Sequence, residues 1–273
     1  MKKLNKLMVD VSTVIPCYNC VDTIERAIAS ISEQTVLPAE VILVNDCSTD
    51  GTIELLKKIQ SRYSDGWIRV IDLKRNGGPG EARNAGWSAA RQNYIAFLDA
   101  DDAWHPQKIE IQYGWMSNNQ HISISGHESI KYGLGIQSPS LQFVIESIPY
   151  DEISKNCLLF KNHLPTRSVM LRRDVPQRFS SHMRYSEDYS LWLKIVCAGQ
   201  LMAKINLPLS YSFKPDFASA GLSSNLWKMQ MGELNAYREI VGAAQINSAY
   251  YFLLVGWSWI RFLRRLAVAK FIE

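Results

Sequence analysis

Hydrophobic and polar positions alternate between two periods along the first hundred residues, and each switch of period predicts a new element. VSTVI (Val11 to Ile15) reads as a buried strand, after which CVDTIERAIASISEQ places its apolar residues at helical spacing. EVILVND predicts a second strand, followed by a helix over STDGTIELLKKIQSRY with Ser48 or Thr49 as N-cap. WIRVIDL reads as a third strand, GEARNAGWSAARQ as a helix and YIAFLD as a fourth strand. Strands separated by helices of this length imply parallel pairing in a doubly wound α/β sheet flanked by helices.

The second half is less regular. A helix is expected from Pro106 to about Ser117, strands over HISISGHESIKY and SVMLRR, and helices over DEISKNCLLFKN and SEDYSLWLKIVCAG. From Ser223 onward the pattern is mostly helical, and KPDFASAGLSS (Lys214 to Ser224) has the Gly, Ser and Ala content of a mobile loop. The expected organisation is therefore a main domain over residues 1–213, split near residue 105, with a loop and C-terminal helices over 214–273.

Every polar cluster of the first half follows a strand: PCYN, NDCSTDGT, KRNGGPGEARN and DADD. In a parallel sheet these positions share the carboxyl edge, where open α/β sheets bind ligands. The fourth cluster gathers Asp99, Asp101 and Asp102. In an extended segment residues i and i+2 point to one side, so Asp99 and Asp101 converge while Asp102 faces away. Two carboxylates ~5 Å apart repel by roughly 3 kcal/mol at an effective dielectric of about 20. A divalent cation reverses that sign, and hard oxygen ligands suit Mg2+ or Mn2+, with a diphosphate and waters completing the shell. The bland alternative is a solvated acidic turn ahead of the next helix.

The glycine stretch NGGPGEARN offers backbone N–H groups at a helix start, which favour an anion. It is neither a Walker loop nor the dinucleotide fingerprint, which disfavours ATPase and dehydrogenase chemistry. Arg83 can reach a phosphate or pair with a nearby acid.

Composition narrows the picture. The formal net charge of +4 over 273 residues shows no nucleic-acid footprint. The five cysteines, Cys17, Cys20, Cys47, Cys157 and Cys197, are odd in number and widely spaced, which points to a reducing, cytoplasmic compartment. CYNC lacks the second Cys/His pair of a zinc site. The N-terminus lacks an apolar signal region, and the longest apolar run, AYYFLLVGWSWI, is shorter than the ~18 residues that span a bilayer.

Five stretches in order, VSTVIPCYNCVDTIERAIASI, VILVNDCSTDGT, RNGGPGEARNAG, FLDADDAWHPQKI and YSEDYSLWLKI, resemble the family 2 glycosyltransferases of the GT-A fold. The resemblance runs from Val11 to about Phe213. It implies a metal-dependent, inverting transfer from a nucleoside-diphosphate sugar to a saccharide or lipid-linked saccharide, as in surface polysaccharide or lipopolysaccharide synthesis. It places Pro16, Tyr18 and Asn19 in the nucleotide pocket, has Asp46 accept from the base, and has Asp50 support that loop. A carboxylate acceptor fits the imide N–H of uracil, and guanine offers a similar donor, so UDP is preferred over GDP.

The resemblance assigns the metal-binding DxD to Asp99 and Asp101, Asp101 being the direct ligand and Asp99 nearer the ribose. Asp188 would be the general base beside Glu187, with Asp102, Gly78 and Asn84 in support. The plain structural alternative for the Glu187–Asp188 pair is a helix start favourable to the dipole. The competing functions are a polyprenyl-phosphate glycosyltransferase, disfavoured by the long acceptor-side region, and a non-catalytic nucleotide-sugar-binding module.

The last helix carries Arg261, Arg264 and Arg265 at i, i+3 and i+4, with Trp257 and Trp259 beside them. Two readings are open: peripheral attachment to the inner membrane face through arginines on anionic lipid, or packing on the domain with the arginines in water.

Overall fold

A computed structural model of the chain describes residues 6–63, 66–131, 143, 147–213, 225–243 and 246–272, with side chains to residue 267. The loop expected over 214–224 lies outside the described residues.

The first half follows the alternating pattern. Strands β1 (Met8–Cys17), β2 (Leu37–Asn45), β3 (Ile68–Asp72) and β4 (Tyr94–Phe97) alternate with helices α1 (Ile24–Ser32), α2 (Thr52–Arg62) and α3 (Pro79–Ala89). β1 lies between β2 and β4, β2 pairs with β3, and all three pairings are parallel. α1 buries Ile24, Ala27, Ile28 and Ile31, the i, i+3, i+4, i+7 stripe of an amphipathic helix. α3 begins at Pro79, whose missing N–H costs nothing in the first turn. The N-cap of α2 is Gly51 rather than Ser48 or Thr49, because those two hydroxyls are engaged by Asn19 instead.

The second half adds β5 (Asp102–Trp104), α4 (Lys108–Asn118), β6 (Ile122–Lys131), β7 (Tyr150–Glu152), α5 (Lys155–Phe160), β8 (Met170–Arg172), α6 (Glu187–Cys197) and β9 (Leu201–Ser212). The sheet runs β3-β2-β1-β4-β8-β6-β9-β5, with β7 on β9. β8 pairs antiparallel with both β4 and β6, and β5 and β7 pair antiparallel with β9. Only β6 and β9 continue the parallel pattern.

β9 was absent from the sequence-based expectation. From Lys204 to Ser212 it alternates polar and apolar positions as a strand should, but Pro208 interrupts it, opposite a register shift in β6 between His127 and Ser129. A proline within an apolar run reads as a strand breaker, and a bulge is where a sheet accepts one. Asp151 and Glu152, expected to open a helix, lie instead in β7.

Apolar cores lie on both faces of the sheet. One centres on Trp87, Phe97, Trp192 and Tyr237, the other on Ile15, Ile24, Leu43 and Trp104. Helices α7 (Leu226–Gly242) and α8 (Ser248–Ile272) complete the first of these, with α7 packed on α6. Gly232 of α7 makes the approach possible: a Cβ there would lie 2.4 Å from the carbonyl oxygen of Tyr185.

Gly232→Ala must therefore displace backbone, and we expect it to lower the unfolding free energy by about 1–3 kcal/mol. Gly114→Ala in α4, where a Cβ meets nothing within 4 Å, should instead raise it by about 0.5–1 kcal/mol. Urea unfolding of the two variants checks both signs.

Candidate active site

The carboxyl edge of the parallel strands opens into a cavity of about 780 Å3. Pro16, Tyr18 and Asn19 after β1, Asp46 after β2, Gly78 and Arg83 at the start of α3, and Asp99 and Asp101 after β4 all line it. Glu187 and Asp188, from more than eighty residues downstream, line it too. Asp50, Asn84 and Asp102 are absent from the wall and act behind it.

The loops are tied to each other before any ligand enters. Asn19, in the left-handed region at φ 46°, donates its backbone N–H to Ser48 Oγ and accepts from the Thr49 N–H at 2.9 Å. Asp50 Oδ1 accepts the Thr52 N–H at 3.0 Å and so shapes the same loop. Asp46 is 2 % exposed and takes the N–H groups of Gly77 and Gly78 at 2.8 Å, one on each carboxylate oxygen. Burial raises its pKa, and the two amides work against that rise. The glycine turn is thus gripped by Asp46, with Gly78 at φ 86°, a conformation that favours glycine. Asn84 exchanges hydrogen bonds with the Phe179 backbone, fixing α3 to the loop ahead of α6.

Residues 99–101 do not form the extended segment expected of them. The Asp102 N–H bonds back to the Asp99 carbonyl at 3.1 Å, making a turn. Asp99 and Asp101 still reach the cavity, while Asp102 begins β5, 1 % exposed, with Arg167 Nη1 at 3.4 Å.

Arg83 takes the acid-pairing alternative, and does so buried. Its guanidinium is 6 % exposed and donates to Asp99 Oδ1 at 2.7 Å and Glu187 Oε1 at 2.8 Å. The neighbouring carboxylates hold its pKa above the ordinary arginine value against the effect of burial. Glu187 is raised by burial, an effect that Arg83 opposes.

Asp188 sits on the first turn of α6, turned into the cavity by Ser186 at φ 55°. Its Oδ2 accepts from Asn162 Nδ2 at 3.1 Å and Thr166 Oγ1 at 3.4 Å, and its Oδ1 from the Tyr189 N–H at 2.7 Å. Burial raises its pKa, and the Tyr189 amide, Arg83 and Asn162 restrain that rise. A carboxyl with a raised pKa at a cavity wall is a stronger proton acceptor than an ordinary aspartate.

Asn162, Thr166, Arg167 and Arg184 escaped the sequence reading. Thr166 and Arg167 lie in a single 3-10 turn before β8, and Asn162 and Arg184 lie outside helix and strand, where no periodicity marks a side chain as facing a site. The only available signal was the polar content of NHLPTR immediately before a predicted strand.

Asp99 and Asp101 offer hard oxygens on one wall of a cavity large enough for a nucleotide, a donor set that fits Mg2+ or Mn2+. Among the described residues no three His, Cys, Asp or Glu side chains gather at ligating distance. A cation here would need the diphosphate and water as further ligands.

The profile of the family described as glycosyl transferase family 2 matches residues 12–178. TuaG of Bacillus subtilis, whose name assigns it to teichuronic acid biosynthesis, is 29% identical over 262 residues, 95% of this chain and 96% of its own. WfaP of Escherichia coli, named as a UDP-Glc:alpha-D-GlcNAc-diphosphoundecaprenol beta-1,3-glucosyltransferase, is 31% identical over 84% of this chain and 86% of its own. Among solved structures, residues 1–349 of S. aureus TarS in complex with UDP-GlcNAc superpose with a TM-score of 0.68 at 18% identity, over 90% of this chain and 70% of that one. With cavity, strand-end loops and sequence match in agreement, the chain belongs to glycosyl transferase family 2 and has the GT-A fold.

Proposed function

We propose that the chain is an inverting, metal-dependent transferase that moves a sugar from a UDP-sugar to a lipid-linked saccharide during cell-surface polysaccharide synthesis. The observation that carries this reading is a single cavity holding both Asp99/Asp101 and Asp188, with Arg83 tying the two walls together. WfaP, named for a UDP-Glc donor and a diphosphoundecaprenol acceptor, supports the donor and acceptor classes. The neighbour PcManGT, described in complex with GDP-Man and Mn2+, supports the metal. A cytoplasmic site of action accords with five free thiols.

In this reading Tyr18 and Asn19 border the base and Asp46 receives its N–H, since each carboxylate oxygen keeps a lone pair beyond those given to Gly77 and Gly78. Asp99 faces the ribose, Asp101 is the residue that would hold the cation, and Arg83 keeps Asp99 oriented. A bound cation would neutralise charge developing on the leaving diphosphate. Asp188 accepts the proton of the acceptor hydroxyl as that oxygen attacks the anomeric carbon opposite the leaving group. Asn162 and Thr166 hold one Asp188 oxygen, which orients the other for that proton. No covalent intermediate on the protein is required.

We expect Asp188→Asn to lower turnover of UDP-sugar plus acceptor by about 10²–10⁴-fold while UDP binding by calorimetry stays within about twofold, a 0.4 kcal/mol change. Asp101→Ala should instead remove the manganese-dependent part of UDP binding. Equal loss of UDP binding in both variants would overturn the division of roles.

The pH dependence carries a sign. Asp188 must be ionised to accept a proton, so activity falls as pH drops through its raised pKa. Asn162 donates to the charged form and lowers that pKa, so Asn162→Ala should move the acid limb of the kcat/KM profile to higher pH. A profile that keeps its acid limb and only drops in height would show that Asn162 does not act on this titration.

A further inference from the structure

Helix α8 is apolar on two sides, burying Leu254 and Phe262 against the domain while leaving a second apolar face outside. Two of its three arginines face the protein: Arg261 pairs with Glu233 at 3.3 Å and bonds the Phe160 carbonyl, and Arg265 bonds Gln230 Oε1 at 3.2 Å. Ser258 is fully buried and accepts from Gln230 Nε2 at 2.8 Å. For Arg261 and Arg265 this overturns both readings, contact with lipid and exposure to water, because Glu233 and Gln230 of α7 draw them inward. Only Arg264 remains fully outside.

The outer face is apolar. Phe252, Leu253, Ile260 and Leu263 are each more than half exposed, and Trp257 is 41% exposed. Phe252, Gly256, Ile260, Leu263 and Ala267 follow i, i+4, i+8, i+11 and i+15 spacing, with Leu253 and Trp257 beside them, one continuous stripe over about four turns. A surface helix of a water-soluble domain places such residues inward. Here the inward side already carries Leu254, Trp259 and Phe262, and a second apolar stripe is left facing out.

We propose that the outer face of α8 is a membrane-docking surface that lies along the headgroup region of an anionic bilayer. Charge selects this occupant. Ser248–Ile272 contains no Asp or Glu. Arg264 is exposed on the stripe, and exposed Lys161 follows Phe160, whose ring meets Trp257 edge-on. A second copy of the same stripe would bring these cations together with no acid on either helix to pair them. Anionic lipid supplies the missing charge, and a tryptophan beside the stripe suits headgroup depth.

The first turn of α7 touches both α8 and the active-site cavity. Leu226 and Met229 of α7 line the cavity, and Trp227 between them belongs to the aromatic cluster with Trp259 and Phe262. Docking by α8 therefore brings a cavity wall close to the bilayer. That this would serve a lipid-linked acceptor rests on the reading given above, while the docking itself requires neither donor nor acceptor.

The test uses the full chain and no substrate. Sedimentation with vesicles of phosphatidylcholine and phosphatidylglycerol should pellet the wild type, with less pelleting on phosphatidylcholine alone. A Phe252→Ser/Ile260→Ser/Leu263→Ser variant should bind the anionic vesicles about tenfold more weakly. Because these side chains are exposed, its melting temperature and its hydrolysis of UDP-sugar in solution should match the wild type. Wild type that remains in the supernatant, or a variant that pellets equally, overturns the proposal. So does light scattering that finds a wild-type dimer which the triple variant turns into a monomer, since the occupant is then a second copy. Failure to turn over UDP-sugar would count against the functional reading and leave the vesicle result intact.

Discussion

The site depends on one buried cation placed between two buried acids. Arg83 is almost wholly removed from water, and so is Glu187, with Asp99 only partly exposed beside them. Ionised groups pay heavily for leaving water, and this set persists because a guanidinium presents two donor edges in a fixed fork, one for each carboxylate. Removing the arginine would leave two like charges facing each other, a defect on the order of 3–5 kcal/mol. The placement of Arg83 follows from how α3 sits. Pro79 starts the helix and Gly86 lets it close on β1, where a Cβ would meet Val14 at 2.4 Å. A small residue in a helix thus sets the position of a charge that joins both walls of the cavity.

Around that charge the loops are pre-assembled. Asn19 couples the turn after β1 to the turn after β2, and Asp46 couples the latter to the glycine turn before α3. Each tie costs a residue some conformational or desolvation energy, Asn19 through a left-handed backbone and Asp46 through burial. Backbone N–H groups, which only a substitution to proline removes, supply much of the compensation. The cavity is therefore largely formed in the absence of ligand.

The donor side was legible in the sequence because it obeys local rules. Period-two and period-3.6 segments announced β1 to β4 and α1 to α3, and a parallel sheet forces its strand-end loops onto one edge, so Pro16, Asp46, Gly78 and Asp99 could be brought together without coordinates. The later half obeys tertiary rules instead. β9 carries a proline at a bulge, β8 is three residues long, and the partners of Asp188 come from an irregular loop whose shape depends on what it packs against. The arginines of α8 mark the limit most clearly. Their spacing was read correctly as a stripe, but which side faced the protein depended on Glu233 and Gln230, residues on another helix with no sequence signature of their own.

The ion pair between Arg83 and Glu187 closes across 104 positions of chain. Contacts that distant form only after a large loop has been closed, at an entropic cost that local pairings avoid. During synthesis the strand-end loops of the first half leave the ribosome well before α6, which bears Glu187 and Asp188. A nascent or prematurely terminated chain therefore holds one wall of the cavity without Glu187 and Asp188, and the cavity is complete only when translation has delivered the far wall.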